Sequence, residues 1–304
     1  MTPLRPGDRV AVVGPAGPTP PDIVDRAVDL LTFWGLKADV RPSASASHPR
    51  ATYLAADDAV RAQDVQDAWC DPDVAAILCT RGGYGTVRML DLLDRDAMAA
   101  AGPTPLFGSS DVTALHEWLR EELGAPTWFA PMIGFPATLD DEVALASLWS
   151  ALLDEPGPRR WTAPTATTLQ AGSAEGLLIG GNLSLLAMTL AARSRRPPDH
   201  TGCIVLLEDV TEATYRIDGY LTALLRAGWF DGVAGIALGS WKDCGPIEEI
   251  HDLCVELIGP LGVPIVGELG FGHCPGAHSI PLGVPGALQA DDHPVLLADL
   301  GADR

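Results

Sequence analysis

The chain has 304 residues, 40 Asp and Glu against 20 Lys and Arg, and 47% hydrophobic side chains. That apolar share excludes a disordered chain, and a formal charge of −20 excludes an extended contact with a nucleic-acid backbone. The same charge disfavours anionic membranes, yet leaves room for a small anionic ligand held by local arginines. At roughly 100–200 residues per domain, two domains are expected.

The opening residues lack an apolar run of signal-peptide length. The most apolar stretch, Leu177 to Ala192, is broken by Gly180-Gly181-Asn182 and falls short of the ~20 residues of a spanning helix. The six Cys (70, 79, 203, 244, 254, 274) are scattered, as expected of reduced thiols. A soluble, cytoplasmic protein is expected, with no nucleic-acid or membrane partner.

In chain order, Asp8–Val13 is an apolar run closed by Gly14-Pro15, which predicts a buried strand. Residues Pro21 to Trp34 place Ile23, Ala27, Leu30, Leu31 and Trp34 at helical spacing. A strand at Ala38–Val40 and a helix over Ala55–Trp69 follow, then strands at Val74–Cys79 and Leu106–Gly108 and a helix over Asp111–Leu123. Strands alternating with helices imply right-handed crossovers and a mainly parallel sheet, with ligands at the carboxyl ends of the strands. The rhythm breaks at 154–168, read as a linker between domains at 1–153 and 169–304. In the second domain strands are expected near Ala174–Ile179, Cys203–Leu207, Val233–Leu238, Pro264–Val266, Ala287–Gln289 and Val295–Leu297. Helices are expected at Leu183–Ala192, Ala213–Ala227 and Ile247–Ile258.

Three segments carry candidate chemistry. Gly108-Ser109-Ser110-Asp111 joins a strand to a helix, where a Ser hydroxyl can project above the sheet and the next N–H faces a helix N-terminus. The last glycine of G-x-S-x-G is absent, and Ser and Asp before a helix also read as ordinary caps. Glu208 and Asp209 end an apolar strand; Glu208 is suited to orient a histidine, or the pair opens a polar turn. In Gly270–His278, His273 sits among glycines and prolines as a candidate general base. His273, Cys274 and His278 fit no standard zinc spacing, so no metal is assigned. Of the other histidines, His48, His200 and His293 are expected in exposed polar stretches, and His116 and His251 as structural helix residues. Trp69, Trp118, Trp128 and Trp149 are expected in the core.

The turn Arg81-Gly82-Gly83-Tyr84-Gly85 can cradle an anion through its N–H groups, or simply connect strand to helix; it matches neither a P-loop nor G-x-G-x-x-G. The order Ser110, Glu208, His273 matches one convergent class of Ser–acid–His triads.

Read jointly, these segments resemble the LD-carboxypeptidase family of serine peptidases, which includes muramoyltetrapeptide carboxypeptidases and microcin C self-immunity peptidases. The resemblance runs from Arg5-Pro6-Gly7-Asp8 and Val13-Gly14-Pro15 through Tyr53-Leu54-Ala55 with Arg61, Arg81–Gly85, Ser110–His116 and Gly180–Leu183. It closes with Leu207–Val210, Tyr215–Asp218, Gly272-His273 and Pro281–Gly283. It implies an α/β fold: an N-terminal parallel-sheet domain resembling class I glutamine amidotransferases and a smaller C-terminal α/β domain, with the active site between them. It further implies Ser110 as nucleophile, His273 as general base, Glu208 as its orienting acid, and the N–H groups of Gly83 and Asp111 as the oxyanion hole. No cofactor is implied, and a homodimer is the family expectation. Arg81, with Tyr84, is the first candidate for the substrate carboxylate.

Two positions depart from the family pattern: Ser109, where an aromatic often precedes the nucleophile, and Gly219, where a larger, often basic side chain is usual. The substrate expected is a cytoplasmic murein tetrapeptide that loses its terminal D-Ala. A peptidyl- or aminoacyl-nucleotide of the microcin C type is the alternative substrate, and a non-catalytic binder of anionic metabolites the alternative class.

Overall fold

The computed structural model describes residues 2–192 and 199–301. The chain divides into two compact units, Met1–Glu155 and Pro156–Arg304.

In chain order the first unit runs β1 (Arg9–Val13), α1 (Pro21–Phe33), β2 (Lys37–Val40), α2 (Pro42–Ser45), α3 (Asp58–Cys70), β3 (Val74–Cys79), α4 (Thr86–Met89), α5 (Arg95–Ala101), β4 (Leu106–Gly108), α6 (Thr113–Leu123), β5 (Thr127–Phe129), α7 (Pro136–Leu139) and α8 (Glu142–Leu153). Its strands pair in parallel in the order β5-β4-β3-β1-β2. Central strands of such a sheet are covered on both faces, so β1 and β3 are continuous apolar runs with almost no exposure. Trp69 of α3, Ile77 of β3, Met98 of α5 and Leu115 of α6 meet in one buried cluster.

The second unit contains β6 (Pro158–Trp161), β7 (Thr167–Gln170), β8 (Gly172–Asn182), α9 (Leu183–Ala192), β9 (Ile204–Val210), α10 (Thr214–Arg226), β10 (Gly235–Lys242), α11 (Ile247–Ile258), β11 (Ile265–Gly267), β12 (Ile280–Leu282), β13 (Pro285–Ala290) and β14 (Val295–Asp299). Its main sheet has the order β6-β14-β13-β8-β9-β10-β11-β7. The strands β8, β9, β10 and β11 run parallel, flanked by antiparallel partners on both sides. Helices α9, α10 and α11 cover the parallel part through Leu186, Ile217, Leu221 and Cys254, with Trp229 and Phe230 completing that core.

Several expectations change. The segment 154–168 carries a strand that its sequence does not announce: Pro158–Trp161 pairs with β14 and Trp161 is buried. Helix α8, α5 and strand β5 were not anticipated. Trp149 is 42% exposed on α8 and so is not a core residue, whereas Trp69 and Trp128 are buried. None of the six cysteines forms a disulfide. No helix among the described residues is long and apolar enough to cross a membrane.

Candidate active site

Strand β4 ends at Gly108, and the chain then makes one tight turn over Ser110–Val112 before α6. Ser109 is extended and buried, while Ser110 takes the left-handed conformation at φ 57° and is half-exposed. A left-handed L-residue costs about 1–2 kcal/mol and persists only where its surroundings fix it. The sharp turn therefore falls on Ser110, one residue after the extended Ser109. Neither Ser109 nor Val112, the residues at the two cap positions, makes a side-chain capping bond. Asp111 instead accepts the N–H of Thr86 at 2.8 Å, on a segment 25 residues away. Beneath the turn, buried His116 places Nε2 2.9 Å from the Gly108 carbonyl. Burial lowers its pKa to about 4, so the ring is neutral and donates.

The glycine loop lies directly on this turn. A Cβ at Gly82 would stand 2.8 Å from Ser110 Cβ, 3.0 Å from its Oγ and 3.1 Å from the Asp111 nitrogen. Only glycine permits that approach. The Gly82 carbonyl accepts the Gly17 N–H at 3.0 Å, which ties the turn after β1 to the turn after β3. Arg81 is half-buried, donates to the Pro18 carbonyl at 3.2 Å and places its guanidinium 4.7 Å from the Phe135 ring centre. It thus braces its loop, and burial lowers its pKa. Tyr84 is 38% exposed and packs at 5.9 Å against Tyr53, itself 55% exposed.

In the second unit, parallel register sets Asn182 of β8 beside Glu208 of β9. Glu208 has no solvent exposure. Its Oε2 lies 2.6 Å from His273 Nδ1, and its Oε1 accepts from Asn182 Nδ2 at 3.1 Å. The same amide nitrogen donates to Asp209 Oδ1 at 2.9 Å, and Asp209 Oδ2 accepts the Ser184 N–H at 2.8 Å. Ser240 Oγ accepts the His273 N–H at 2.8 Å, which fixes the loop from β10. Gly272, at φ 99°, leaves the Glu208 carboxylate space that a side chain would fill.

Electrostatics follow from these contacts. Burial alone would lower the His273 pKa, but the Glu208 charge, its hydrogen bond and the Asp209 charge outweigh burial, and the pKa is raised. Burial first, and the Glu208 charge second, push Asp209 up to about 6.

Two expectations about histidines are corrected. His200 is buried, with Nδ1 2.8 Å from the Trp229 carbonyl and its ring edge-on to that indole at 4.3 Å. His48 is also buried: Nδ1 accepts the N–H groups of Arg50 and Ala51, and Nε2 lies 2.8 Å from Asp57. Both escape polar surroundings in sequence by turning inward onto backbone and carboxylate partners. His293 is exposed and His278 lies 2.9 Å from the Thr162 carbonyl. Sequence reasoning overlooked Ser240 and the pairing of Asn182 with two carboxylates. The signal for Asn182 was its place at the end of an apolar strand after two glycines.

Comparison with known proteins decides the family. Residues 10–130 match the model of the LD-carboxypeptidase N-terminal domain, and residues 175–288 that of the LD-carboxypeptidase C-terminal domain. The chain belongs to the LD-carboxypeptidase family. Among its relatives, a putative carboxypeptidase of Streptomyces coelicolor is 48% identical, over 95% of this chain and 92% of the relative. The murein tetrapeptide carboxypeptidase of Pseudomonas aeruginosa is 31% identical, over 93% of this chain and 94% of its own length. An MccF-like protein from Bacillus anthracis matches with a TM-score of 0.86 over 98% of each chain; at 24% identity it speaks to the fold alone. The N-terminal LD-carboxypeptidase match contains the Ser110 turn and the glycine loop, and the C-terminal match contains Asn182, Glu208 and His273.

Proposed function

We propose that the protein is a serine carboxypeptidase that releases the terminal D-Ala of murein tetrapeptide by hydrolysing the LD-amide bond. The observation that carries this reading is the buried Glu208–His273 pair at 2.6 Å; the left-handed turn at Ser110, in the first unit, supports it. Glu208 holds the Nδ1–H tautomer of His273 and leaves Nε2 to take a proton. Ser110 Oγ attacks the scissile carbonyl as His273 accepts its proton. The N–H groups of Gly83 and Asp111 receive the oxyanion, the N–H of Asp111 lying at the start of a helix where negative charge is favoured. His273 then protonates the leaving D-Ala amine, and water hydrolyses the acyl-enzyme with His273 again as base.

Arg81 and Tyr84 form the recognition side of this reading. Arg81 supplies a cation beside the glycine loop in a protein of net charge −20, and Tyr84 offers an exposed ring next to it. The relative in P. aeruginosa named for murein tetrapeptide favours this substrate. The reading places the enzyme in the cytoplasm, in peptidoglycan recycling, consistent with six cysteines that form no disulfide. A homodimer belongs to the same reading and rests on the family resemblance.

The test is mass-spectrometric detection of D-Ala after incubation with murein tetrapeptide, beside an aminoacyl sulfamoyl adenosine as second substrate. Release by the wild type, and none by Ser110→Ala or His273→Ala, is expected. Turnover of the nucleotide analogue without D-Ala release would move the substrate to that class. Full activity in either variant would overturn the residue roles.

A further inference from the structure

The Asp111 side chain is not explained by the proposed chemistry, which uses only its backbone N–H. Its carboxylate is fully buried, an expensive placement for an acid unless it does specific hydrogen-bonding work. It makes that bond away from its own helix, accepting the Thr86 N–H at 2.8 Å. Thr86 is the first residue of α4, so its N–H has no partner within that helix. The acid beside Ser110 therefore caps the helix that follows the glycine loop.

The loop is held from its other side by Arg61, also fully buried. Arg61 donates through Nε to the Ala56 carbonyl at 3.1 Å, through Nη1 to the Pro15 carbonyl and through Nη2 to Asp58. Asp58 in turn receives Arg88 of α4 at 2.8 and 3.1 Å. Gly85 lies against the Arg61 guanidinium, as Gly82 lies against Ser110. The loop thus packs against Ser110 at Gly82 and against Arg61 at Gly85.

We propose that the Asp111 carboxylate is a positioning group, which clamps the 82–85 loop onto the Ser110 turn and so holds the Gly83 and Asp111 N–H groups aimed at one oxyanion. This rests on the proposed function for the identity of the oxyanion hole. The clamp acts on the transition state, because the oxyanion forms only there.

The experiment compares Asp111→Ala and Asp111→Asn with the wild type in kcat and KM on murein tetrapeptide, and in the rate at which a fluorophosphonate phosphonylates Ser110 Oγ with loss of fluoride. Asp111→Ala is expected to lower kcat and the phosphonylation rate about 10- to 100-fold, with KM within about threefold. Asp111→Asn should recover most of that loss, since its carbonyl still accepts the Thr86 N–H. A residue that served only stability would lower the melting temperature and leave kcat per folded molecule intact. Wild-type kcat in Asp111→Ala, or an Asn variant as slow as the Ala variant, overturns the clamp. If Asp111→Ala does not fold, Asp111→Leu, which keeps the branched heavy-atom skeleton without an acceptor, takes its place. If the wild type releases no D-Ala, the proposed substrate has failed, and the phosphonylation rates alone decide the clamp.

Discussion

Glu208 Oε2 and His273 Nδ1 are 2.6 Å apart, and the carboxylate has no access to solvent. Removing its charge while keeping its shape takes away the contact that fixes the tautomer and raises the imidazole pKa. Glu208→Gln is therefore expected to reduce kcat by about 10²–10⁴-fold. In the proposed role of general base His273 works in its neutral form, so its raised pKa sets the acid limb of the rate profile above the ordinary imidazole value. In the variant that limb should move to lower pH. Profiles of kcat/KM against pH check this, and an unmoved limb would contradict it.

Gly82 is pressed against Ser110 without a left-handed backbone of its own. Gly82→Ala therefore adds no backbone strain, but its methyl group must displace the Ser110 side chain. A displacement near 1 Å at a reacting atom costs on the order of 100-fold in rate. We expect kcat to fall by that order with a melting temperature near that of the wild type. Steady-state kinetics beside thermal unfolding would separate this from general destabilisation.

Asp209 holds its proton up to about pH 6 in the folded state, whereas an unfolded aspartate releases it near pH 3.9. The folded protein thus binds more protons across this window, and this group's contribution to stability falls as pH rises from about 4 to about 6. The size is on the order of 3 kcal/mol. Asp209→Asn removes that slope, so the stability difference between variant and wild type should change across the window and level off above it. Urea unfolding at several pH values measures the difference directly, and parallel curves would sink the assignment.

Much of the fold was legible because buried parallel strands advertise themselves. Val74–Cys79 reads as a strand with its observed bounds, and Ile247–Ile258 as a helix. Strand β5 is only three residues, too short for any period to show. Helix α8 had a legible start in Asp141, whose carboxylate accepts the N–H groups of Val143 and Ala144, but the apolar run behind it has little facing contrast. Pro158–Trp161 looks like linker chemistry and becomes a strand only because β14 supplies an edge. The candidate site was legible as residue types at strand ends. What sequence could not give was register: Asn182 meets Glu208 because β8 and β9 align there, across a gap of 26 residues.

His116 supplies a control for all pH work on this enzyme. Its ring is buried below the Ser110 turn and bonded to Gly108, and with a pKa of about 4 it carries no charge through the neutral range. A nuclear magnetic resonance titration should therefore show the His116 ring protons holding a constant chemical shift while those of His273 move. The imidazole nearest Ser110 in the chain would then act as an internal reference, and any inflection in the neutral range could be ascribed to a different ring.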